Sequence, residues 1–319
     1  MLLSLRTDSL PAWRTEFEFT SSDGLSIHCE RWGDPVSALG IVQVAHGMGE
    51  HAGRYRHTVA ALVAAGFCVF ASDHRGHGRS GTGPAGRGDF GKGGFDLLVE
   101  DVGRLAQIAR NQCYGQPLIL LGHSMGSFAA QQFILDRSGA ISGVVLSGTG
   151  ALDGLANIAR LSGGTHVLNT FFEPSRTPFD WLSRDEAIVD DFIADPLCFP
   201  ELESASMASF LAAADRLSDP GQLANIHKHL PVYVMAGSED PVGQHLLGVG
   251  SLLDRYGRAG LQDVTRKVYV GGRHEMLNEI NRDQVLADLV RWMFAVAERA
   301  ETERSTAFLK NRAPQFSGR

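Results

Sequence analysis

A serine set between glycines, at the end of a short apolar run, restricts the folds open to this chain more than any other feature. Residues 117–121 are apolar and predict a buried strand, the pentapeptide GHSMG at 122–126 predicts a sharp turn, and residues 127–135 predict a helix. In such a turn the serine takes a strained backbone conformation that exposes its hydroxyl at the carboxyl end of a sheet. Side chains in place of the flanking glycines would collide with the neighbouring strand or helix. Ser124 is therefore the candidate nucleophile, although the pentapeptide alone also fits an ordinary glycine-rich loop.

The rest of the chain alternates strands with helices. Apolar runs predict five further strands, at residues 41–45, 67–72, 141–146, 231–236 and 264–270. Helical patterns lie between or after them, at residues 57–65, 95–110, 245–256 and 284–297. Residues 16–32 alternate on either side of Ser22-Asp23-Gly24 and predict a leading antiparallel hairpin. Apolar strands that alternate with helices are typical of an α/β fold with a mostly parallel sheet and helices on both faces.

This alternation stops near Gly150 and resumes at Pro231. The intervening segment of about 80 residues is too long for a plain connection, and an insertion of this size within a compact fold is usually a functional lid. We therefore predict a core part at residues 1–150, a helical lid (the cap) at 151–230 and the rest of the core at 231–300. Residues 301–319 are predicted to form a polar, mobile tail.

Two segments of the cap carry helical signals. Ser183 to Glu186 matches a capping box, and apolar residues at helical spacing follow it and recur further along the cap. They are Ile188, Val189, Phe192 and Ile193 in the first segment, and Met207, Phe210, Leu211 and Ala214 in the second. These apolar faces either pack on the main domain or line a substrate tunnel, and the sequence leaves both interpretations open.

A nucleophilic serine needs two partners. Its hydroxyl reacts poorly near neutral pH unless a histidine takes its proton and a carboxylate holds that histidine in the useful tautomer. In folds with this serine turn the chain order is serine, acid, histidine, each at the carboxyl end of a strand. Asp240 follows the strand at 231–236 and His274 follows the strand at 264–270. The sequence therefore predicts a triad of Ser124, Asp240 and His274.

Other residues compete for the acid and base roles. The chain has 12 histidines, but several precede the serine or do not follow the last strand: His46, His74, His77, His227, His229 and His245. His123 is the neighbour of the serine on the strand side and should point away from it. Glu239 is the rival acid, but adjacent residues in an extended loop point in opposite directions, which favours Asp240.

Acyl transfer also requires two fixed N–H donors where the carbonyl oxygen gains negative charge. The backbone of Met125, directly after the candidate nucleophile, is one predicted donor. Met48, in the turn HGMG at 46–49 after the first parallel strand, is the other. Alternatively, the glycines at 47 and 49 serve only to allow a tight turn and have no catalytic role.

Composition argues against several classes of function. No stretch approaches about 18 consecutive apolar residues, so no membrane span is predicted, and Arg6 and Asp8 interrupt residues 1–10 before a secretory signal develops. A net charge of -7 disfavours nucleic acid and anionic membranes as main partners because both repel an acidic surface. The four cysteines lack a paired spacing and are predicted to be reduced. We expect a cytoplasmic protein with no metal ion and no cofactor.

Six motifs together resemble the monoacylglycerol lipase and lysophospholipase group of α/β-hydrolases, which is sometimes placed with serine aminopeptidases. They are HGMGEHAGRY at 46–55, DHRGHGRS at 73–80, GHSMG at 122–126, FDWLSRD at 179–185, DPLC at 195–198 and RHEMLNE at 273–279. The match covers nearly the whole chain, the cap included. The group often has alanine where Met48 stands and a glycine where Ser127 stands, and Met48 is expected to narrow the mouth of the site.

The resemblance implies an α/β-hydrolase fold and an ester hydrolase that acts on small-molecule lipid esters. It also implies that Glu50 and Arg54 organise the site and the polar head of a glycerol ester, whereas their spacing alone predicts an exposed i,i+4 ion pair. We interpret Asp73, Arg75 and His77 as loop architecture. By the same resemblance, the cap admits an apolar chain and contacts a membrane or micelle surface.

Other functions stay open at this point. Epoxide hydrolases and dehalogenases of this fold use an aspartate as nucleophile, so the serine disfavours both, while thioesterase, carboxylesterase and peptidase activities remain. A peptidase would need an anchor for the substrate amine, for which the cap offers Glu173, Asp190 and Asp191. A binding module that has lost the chemistry is disfavoured because the site is complete.

Overall fold

The computed structural model of the protein describes residues 14–82, 86–162 and 165–312. Residues 1–10, on which the argument against a secretory signal depends, lie outside the described residues, as do residues 313–319 of the predicted tail. Among the described helices, none combines the length and the apolar character needed to cross a membrane.

In the described part of the chain, eight strands form one sheet in the order β1-β2-β4-β3-β5-β6-β7-β8. The strands are β1 (Arg14–Thr20), β2 (Ser26–Trp32), β3 (Ile41–Ala45), β4 (Cys68–Ser72), β5 (Leu118–His123), β6 (Gly143–Ser147), β7 (Val232–Gly237) and β8 (Val264–Tyr269). β1 and β2 form the predicted antiparallel hairpin, β2 pairs antiparallel with β4, and every pairing from β4 to β8 is parallel. The prediction of a mostly parallel sheet is confirmed.

Helices cover both faces of this sheet. They are α1 (Arg56–Ala64), α2 (Gly94–Gln112), α3 (Met125–Arg137), α4 (Leu152–Ser162), α5 (Glu186–Ala194), α6 (Ser204–Ser218), α7 (Pro220–Leu223), α8 (Leu247–Arg258) and α9 (Arg282–Arg312). Successive side chains of β3 point to opposite faces, so Ile41 packs in one apolar cluster with α2 and α3, and Val42 packs in another with α1 and α9. The carboxyl ends of the parallel strands therefore share one edge between two helical layers.

Among the predicted secondary-structure elements, the structure corrects the ends of several helices. α8 begins after Leu246 because Gln244, His245 and Leu246 all have positive φ angles, which a right-handed helix does not allow. α5 is capped by Asp185, whose side chain accepts the Ala187 N–H, and not by the predicted capping box at Ser183. The Ser183 hydroxyl instead donates to a carbonyl oxygen outside the cap.

The helix α9 continues well beyond its predicted end at residue 297 and reaches Arg312. Residues 301–306 are exposed, so no apolar periodicity marks them, but residues such as Ala300, Glu301 and Glu303 have favourable helix propensity. Part of the predicted aperiodic tail is therefore helical. Its mobility stays a prediction.

The described chain between β6 and β7 contains the helices α4 to α7, joined in part by non-helical stretches such as residues 173–185. α6 is fastened to the main domain by Ser206 and Ser209, whose hydroxyl oxygens accept the N–H groups of Phe90 (2.8 Å) and Phe95 (2.9 Å). Phe210 of the same helix packs in the core, 5.1 Å from the Phe95 ring. The division at residues 151 and 230 stays a prediction.

A buried ion cluster joins the leading hairpin to the rest of the domain. Arg75, in the loop after β4, donates to Asp101 of α2 (2.7 Å) and to Asp23 (2.9 Å) and Ser21 (2.9 Å) at the hairpin turn. Arg75 is fully buried and Asp101 is 2% exposed. A buried guanidinium is tolerated only when it is paired, so this arginine acts as loop architecture.

We expect Asp101→Asn to lower the free energy of unfolding by about 3 kcal/mol, because it removes the buried carboxylate that pairs with Arg75 and leaves this buried charge with only the more exposed carboxylate of Asp23. Asp136→Asn is the matched control, since Asp136 pairs with Arg216 at the exposed surface and its loss should cost less than about 1 kcal/mol. Urea denaturation followed by circular dichroism measures both. Equal effects of the two changes would contradict this account.

Candidate active site

Ser124 lies where β5 ends and α3 begins. Its φ of 51° and ψ of -122° are values that L side chains rarely adopt, and its N–H donates to the Ser147 carbonyl of β6 at 2.9 Å. A Cβ atom on Gly122 would overlap the carbonyl of Gly126, and one on Gly126 would overlap the carbonyl of Ala45 at the end of β3. The close approach of α3 to the sheet therefore requires both glycines.

Asp240 and His274 are hydrogen bonded to each other. Asp240 is fully buried after β7, His274 is 2% exposed after β8, and His274 Nδ1 lies 2.9 Å from Asp240 Oδ1. The same oxygen accepts the N–H of Val242 at 2.9 Å, which fixes the carboxylate. His274 and Ser124 line the same cavity, whereas the rival acid Glu239 is exposed. The structure thus brings the three residues of the predicted triad to one edge of the sheet.

The His274 ring contacts the rings of His123 and Trp181 in tilted arrangements. The ring centroids are 4.7 Å and 4.9 Å away, respectively. The prediction that His123 points away from the site is wrong, because His123 lines the cavity that contains Ser124. That prediction assumed the alternation of an extended strand, but the strand pleat ends at the Ser124 turn, so neighbouring side chains reach the same side.

The two neighbouring imidazoles differ in pKa. Burial alone would lower the pKa of His274, but the Asp240 charge and hydrogen bond, together with the charges of Glu275 and Glu50, outweigh it and raise this pKa. For His123, burial and then the nearby His274 charge lower the pKa to about 4. His274 is therefore the ring of this pair that accepts a proton near neutral pH.

The turn after β3 lies against Ser124. A Cβ atom on Gly47 would stand only 3.1 Å from the Ser124 Cβ. His46 holds this turn, because its Nδ1 donates to the Gly47 carbonyl (2.8 Å) and its Nε2 accepts the His74 N–H (2.9 Å). The Gly47 carbonyl and the Met48 N–H belong to one planar peptide group, so this contact also fixes the direction of the Met48 N–H.

Both predicted oxyanion donors border the nucleophile candidate. Met48 and Met125 line an apolar cavity together with Ser124. Met125 is the first residue of α3, and the N–H groups at a helix start have no acceptor within the helix. Their role as donors stays a prediction.

The histidines near the turn are neutral packing groups. His46, His74 and His77 are all buried, and the His46 ring lies 4.1 Å from His74 and 5.3 Å from His77. Burial is the main cause that lowers the pKa of His74 to about 3 and that of His77 to about 4, and it also lowers the pKa of His46. A cluster of neutral rings supports the turn and does not compete with His274 as a base.

Arg54 lies between two buried glutamates. Its Nη1 is 2.8 Å from Glu50 Oε2, and its two Nη atoms are 2.6 and 2.8 Å from the carboxylate oxygens of Glu275. Glu50 also accepts the Gly47 N–H at 2.5 Å. Burial opposes ionisation of Glu50, but the Arg54 charge outweighs it and lowers the pKa of this carboxyl. The exposed ion pair that the spacing predicts is wrong, because Glu275, 221 residues away from Arg54, covers it.

Within the described residues, two cavities meet at Ser124. The first, of about 150 Å³, contains the charged side chains of Glu50, Arg54 and Glu275, for which we call it the polar cavity, although aromatic and proline residues also form much of its wall. The second, the apolar cavity of about 40 Å³, is lined by apolar side chains, including those of α3, α4 and α6. The apolar lining includes Met125, Phe128, Leu155, Ile158, Met207, Phe210 and Leu211. Met48, Ser124 and Trp181 border both cavities. One face of α6 therefore both packs on the core and lines a cavity.

The cap is also bonded to the turn after β3. The Phe199 N–H donates to the Gly49 carbonyl at 2.9 Å, and His51 Nε2 lies 3.0 Å from Asp195 Oδ2. Among the described residues, His51, Asp195 and Cys198 are a group that could hold a metal ion, with ligand atoms within 4.8 Å of one another. The hydrogen bond between His51 and Asp195 and the nearby charge of the Arg54 guanidinium oppose the binding of a cation there.

The acidic cap residues considered as amine anchors lie elsewhere. Asp190 pairs with Arg176 at the surface (2.5 Å), Glu173 is exposed, and Asp191 borders a separate cleft. The described residues that line the polar cavity do not include any of the three. Trp181 and Glu275 do line it, and sequence reasoning assigned them no role even though both lie within quoted motifs. Their importance comes from contacts across the fold, which adjacency in the chain does not encode.

The sequence matches known proteins along most of its length. The family model described as serine aminopeptidase, S33, matches residues 37–281. A monoacylglycerol lipase from Mycolicibacterium smegmatis is 33% identical over 290 residues, which cover 88% of this chain and 97% of the relative. A monoglyceride lipase from Homo sapiens is 29% identical over 265 residues, which cover 82% of this chain and 83% of the relative. The structure of a thermostable carboxyl esterase from Bacillus coagulans in complex with glycerol has a TM-score of 0.81 and 29% identity, covering 89% of this chain and 99% of that chain.

We expect Gly126→Ala to lower the free energy of unfolding by about 1–3 kcal/mol, because the added methyl group overlaps backbone atoms at the end of β3. Gly250→Ala is the matched control, since a Cβ atom at this position of α8 meets no atom within 4 Å. It should raise stability by up to about 1 kcal/mol through helix propensity. Chemical denaturation of both variants measures the difference. An unchanged free energy of unfolding in Gly126→Ala would contradict the packing argument.

The raised pKa of His274 predicts that its imidazole keeps a proton above pH 6.5, the ordinary value. Asp240→Asn should lower this pKa, because the Asp240 charge is the main interaction that opposes the effect of burial on His274. NMR titration of histidine imidazole resonances, assigned by comparison with His274→Ala, measures it. Glu239→Gln, which changes the exposed neighbouring acid, should leave the titration unchanged, and the same midpoint in Asp240→Asn and wild type would refute the assignment.

Proposed function

The chain belongs to the serine aminopeptidase S33 family of α/β-hydrolases and is a serine ester hydrolase, and from this premise we propose that it cleaves monoacyl lipid esters such as monoacylglycerols. The observation that carries the proposal is the position of Ser124 between a polar and an apolar cavity. An ester with one polar head and one apolar chain matches this pair of cavities. The relatives described as monoacylglycerol and monoglyceride lipases support this substrate class.

In the proposed acylation step, Ser124 Oγ attacks the ester carbonyl while His274 takes the hydroxyl proton. Asp240 accepts the hydrogen bond from His274 Nδ1 (2.9 Å), which leaves Nε2 free to act as the base and stabilises the imidazolium that forms. The raised pKa of His274 supports this role, since the base must hold the proton until the leaving group takes it.

The carbonyl oxygen becomes an oxyanion during this attack, and the N–H groups of Met48 and Met125 are the proposed donors to it. The hydrogen bond from His46 to the Gly47 carbonyl supports the first assignment, because it orients the Met48 N–H before substrate binds. His274 then gives its proton to the leaving alcohol. Water, activated by the same histidine, releases the fatty acid from Ser124.

The polar cavity supports binding of an uncharged polyol head. Glu50 and Glu275 both bond to Arg54, and together these groups offer acceptors and donors to hydroxyl groups. Two carboxylates against one guanidinium leave an excess of negative charge, to which Glu201 at the rim adds. We therefore expect glycerol esters to bind better here than esters with an anionic head.

The apolar cavity is proposed to hold the acyl chain. Its volume of about 40 Å³ is small, so a long chain would have to displace side chains of the cap. Met207 is suited to this because methionine is unbranched and repacks readily. Contact of the cap with a membrane or micelle surface, from which such a chain would enter, stays part of the proposal.

The test is a series of glycerol monoesters from acetate to octanoate, assayed by release of the fatty acid. We expect kcat/KM to rise about fourfold for each methylene that enters the cavity, since burying one is worth about 0.8 kcal/mol. Ser124→Ala should abolish turnover and labelling by a fluorophosphonate probe.

Met207→Trp should remove the gain for the longer esters while acetate turnover stays, because the indole fills the cavity that Met207 lines. Ala208→Trp is the control, since Ala208 is the exposed neighbour on α6. Rates that stay flat or fall from acetate to octanoate in the wild type would reject the acyl cavity. Efficient release of amino acids from aminoacyl amides would favour a peptidase instead.

A further inference from the structure

The loop after β8 that carries His274 is bonded on two sides. Its first part is bonded to the loop that carries Asp240, since the Gly272 carbonyl accepts the Glu239 N–H (2.9 Å). Its second part is bonded to the cap: the N–H of His274 donates to the Trp181 carbonyl (3.3 Å), and the next N–H along the loop donates to the Leu182 carbonyl (2.8 Å). The catalytic histidine therefore lies where the loop leaves the core and joins the cap.

Arg273, directly before the histidine, strengthens this junction. Its Nη1 donates to the carbonyl oxygens of Asp180 and Ser183, the latter at 3.1 Å. Its guanidinium carbon lies 4.5 Å from the centroid of the Phe172 ring, which is also part of the cap. Residues 180–184, which we call the cap strap, thus contribute backbone acceptors to three successive residues of the histidine loop.

A single buried carboxylate connects the strap and the loop. Glu279 is fully buried and accepts four hydrogen bonds from the described residues. The donors are the N–H of Arg273 (3.0 Å), the N–H and Nε of Arg184 (3.1 and 2.9 Å) and the N–H of Ile280 (2.9 Å). Its first oxygen thus bonds the residue next to the catalytic histidine and the last residue of the strap at the same time.

We propose that Glu279 is a positioning residue, which holds His274 in place by tying the histidine loop to the cap strap. The proposal rests on the role of His274 as the base in the proposed function. It assigns the strap a fixed place in the active site. Movements of the cap that admit substrate have to leave residues 180–184 docked, because undocking them removes the acceptors of the His274 loop.

The substitution that tests this is Glu279→Gln, which keeps the volume and removes the charge. One of its two terminal atoms becomes an NH₂ group that faces N–H donors, so one side of the junction is lost. We expect kcat on p-nitrophenyl butyrate to fall by about 10²-fold, the effect of a small misplacement of a catalytic group. KM should stay within about twofold, because no group that binds substrate changes.

The pH profile separates positioning from stability. His274 faces Asp240 from the loop after β7, His123 at the end of β5, Glu50 from the turn after β3 and the neighbouring Glu275. If the loop loosens, contact with Asp240 weakens, so the acid limb of kcat/KM should move to lower pH in Glu279→Gln. Asp101→Asn is the matched control: it also breaks a buried carboxylate–arginine pair, and it should lower stability but leave kcat and the acid limb unchanged.

A second variant guards against misfolding of the first. The Arg184 side chain is 28% exposed, so Arg184→Gln should fold, and it removes the Nε donor to Glu279 while the backbone N–H of residue 184 still donates. Arg184→Gln should also lower kcat, and Arg184→Lys should restore part of that loss. If both Glu279→Gln and Arg184→Gln lose stability but keep the wild-type kcat and acid limb, the positioning role is refuted. If His274→Ala retains turnover, the proposed function itself fails, and the two failures are thereby distinguishable.

Discussion

The packing of α3 against the end of β3 is the constraint on which the rest of the site depends. It leaves no room for a side chain at Gly122 or Gly126, and it forces Ser124 into a backbone conformation that few residues adopt. Strain of this kind persists only where the surrounding structure fixes it, and here the parallel strands on either side of β5 do so. The same geometry brings the turn after β3 to the serine, so one packing contact positions both the proposed nucleophile and the proposed oxyanion donors.

Around this contact the fold buries several charged groups, and each has a hydrogen-bonding partner. Arg54 lies between Glu50 and Glu275, Glu279 accepts only N–H donors, and Asp240 is paired with His274. Unpaired, any of these groups would be costly in a dry interior. Paired, they link segments that are distant in the chain: the turn after β3, the cap and the loop after β8. The cap therefore also provides hydrogen-bonding partners for the loop that carries His274.

The sequence predicted the sheet well because strands depend on local patterns, and the candidate triad was chosen from patterns of the same kind. Apolar runs identify strands, and the chain order of serine, acid and histidine follows from which strand each residue ends. The prediction failed where a long-range contact or a change of backbone direction determined the orientation or the burial of a side chain. His123 was expected to point away, but the turn brings it against His274, and the pair of Glu50 and Arg54 was expected at the surface, but Glu275 covers it. The end of α9 was missed because exposed residues of good helix propensity carry no apolar period.

By itself the sequence determined the parallel sheet, the sharp turn at Ser124 and the residue types at the ends of the strands, since glycines, apolar runs and strand order act over a few residues at a time. Only the tertiary structure decided that the His274 ring contacts the rings of His123 and Trp181, that Ser124 borders both a polar and an apolar cavity, and that Glu279 joins the cap to the histidine loop. The physical reason is that burial and pairing of charges depend on which segments meet in space, and nothing in the local sequence specifies a partner as distant along the chain as Arg184 is from Glu279, 95 residues away.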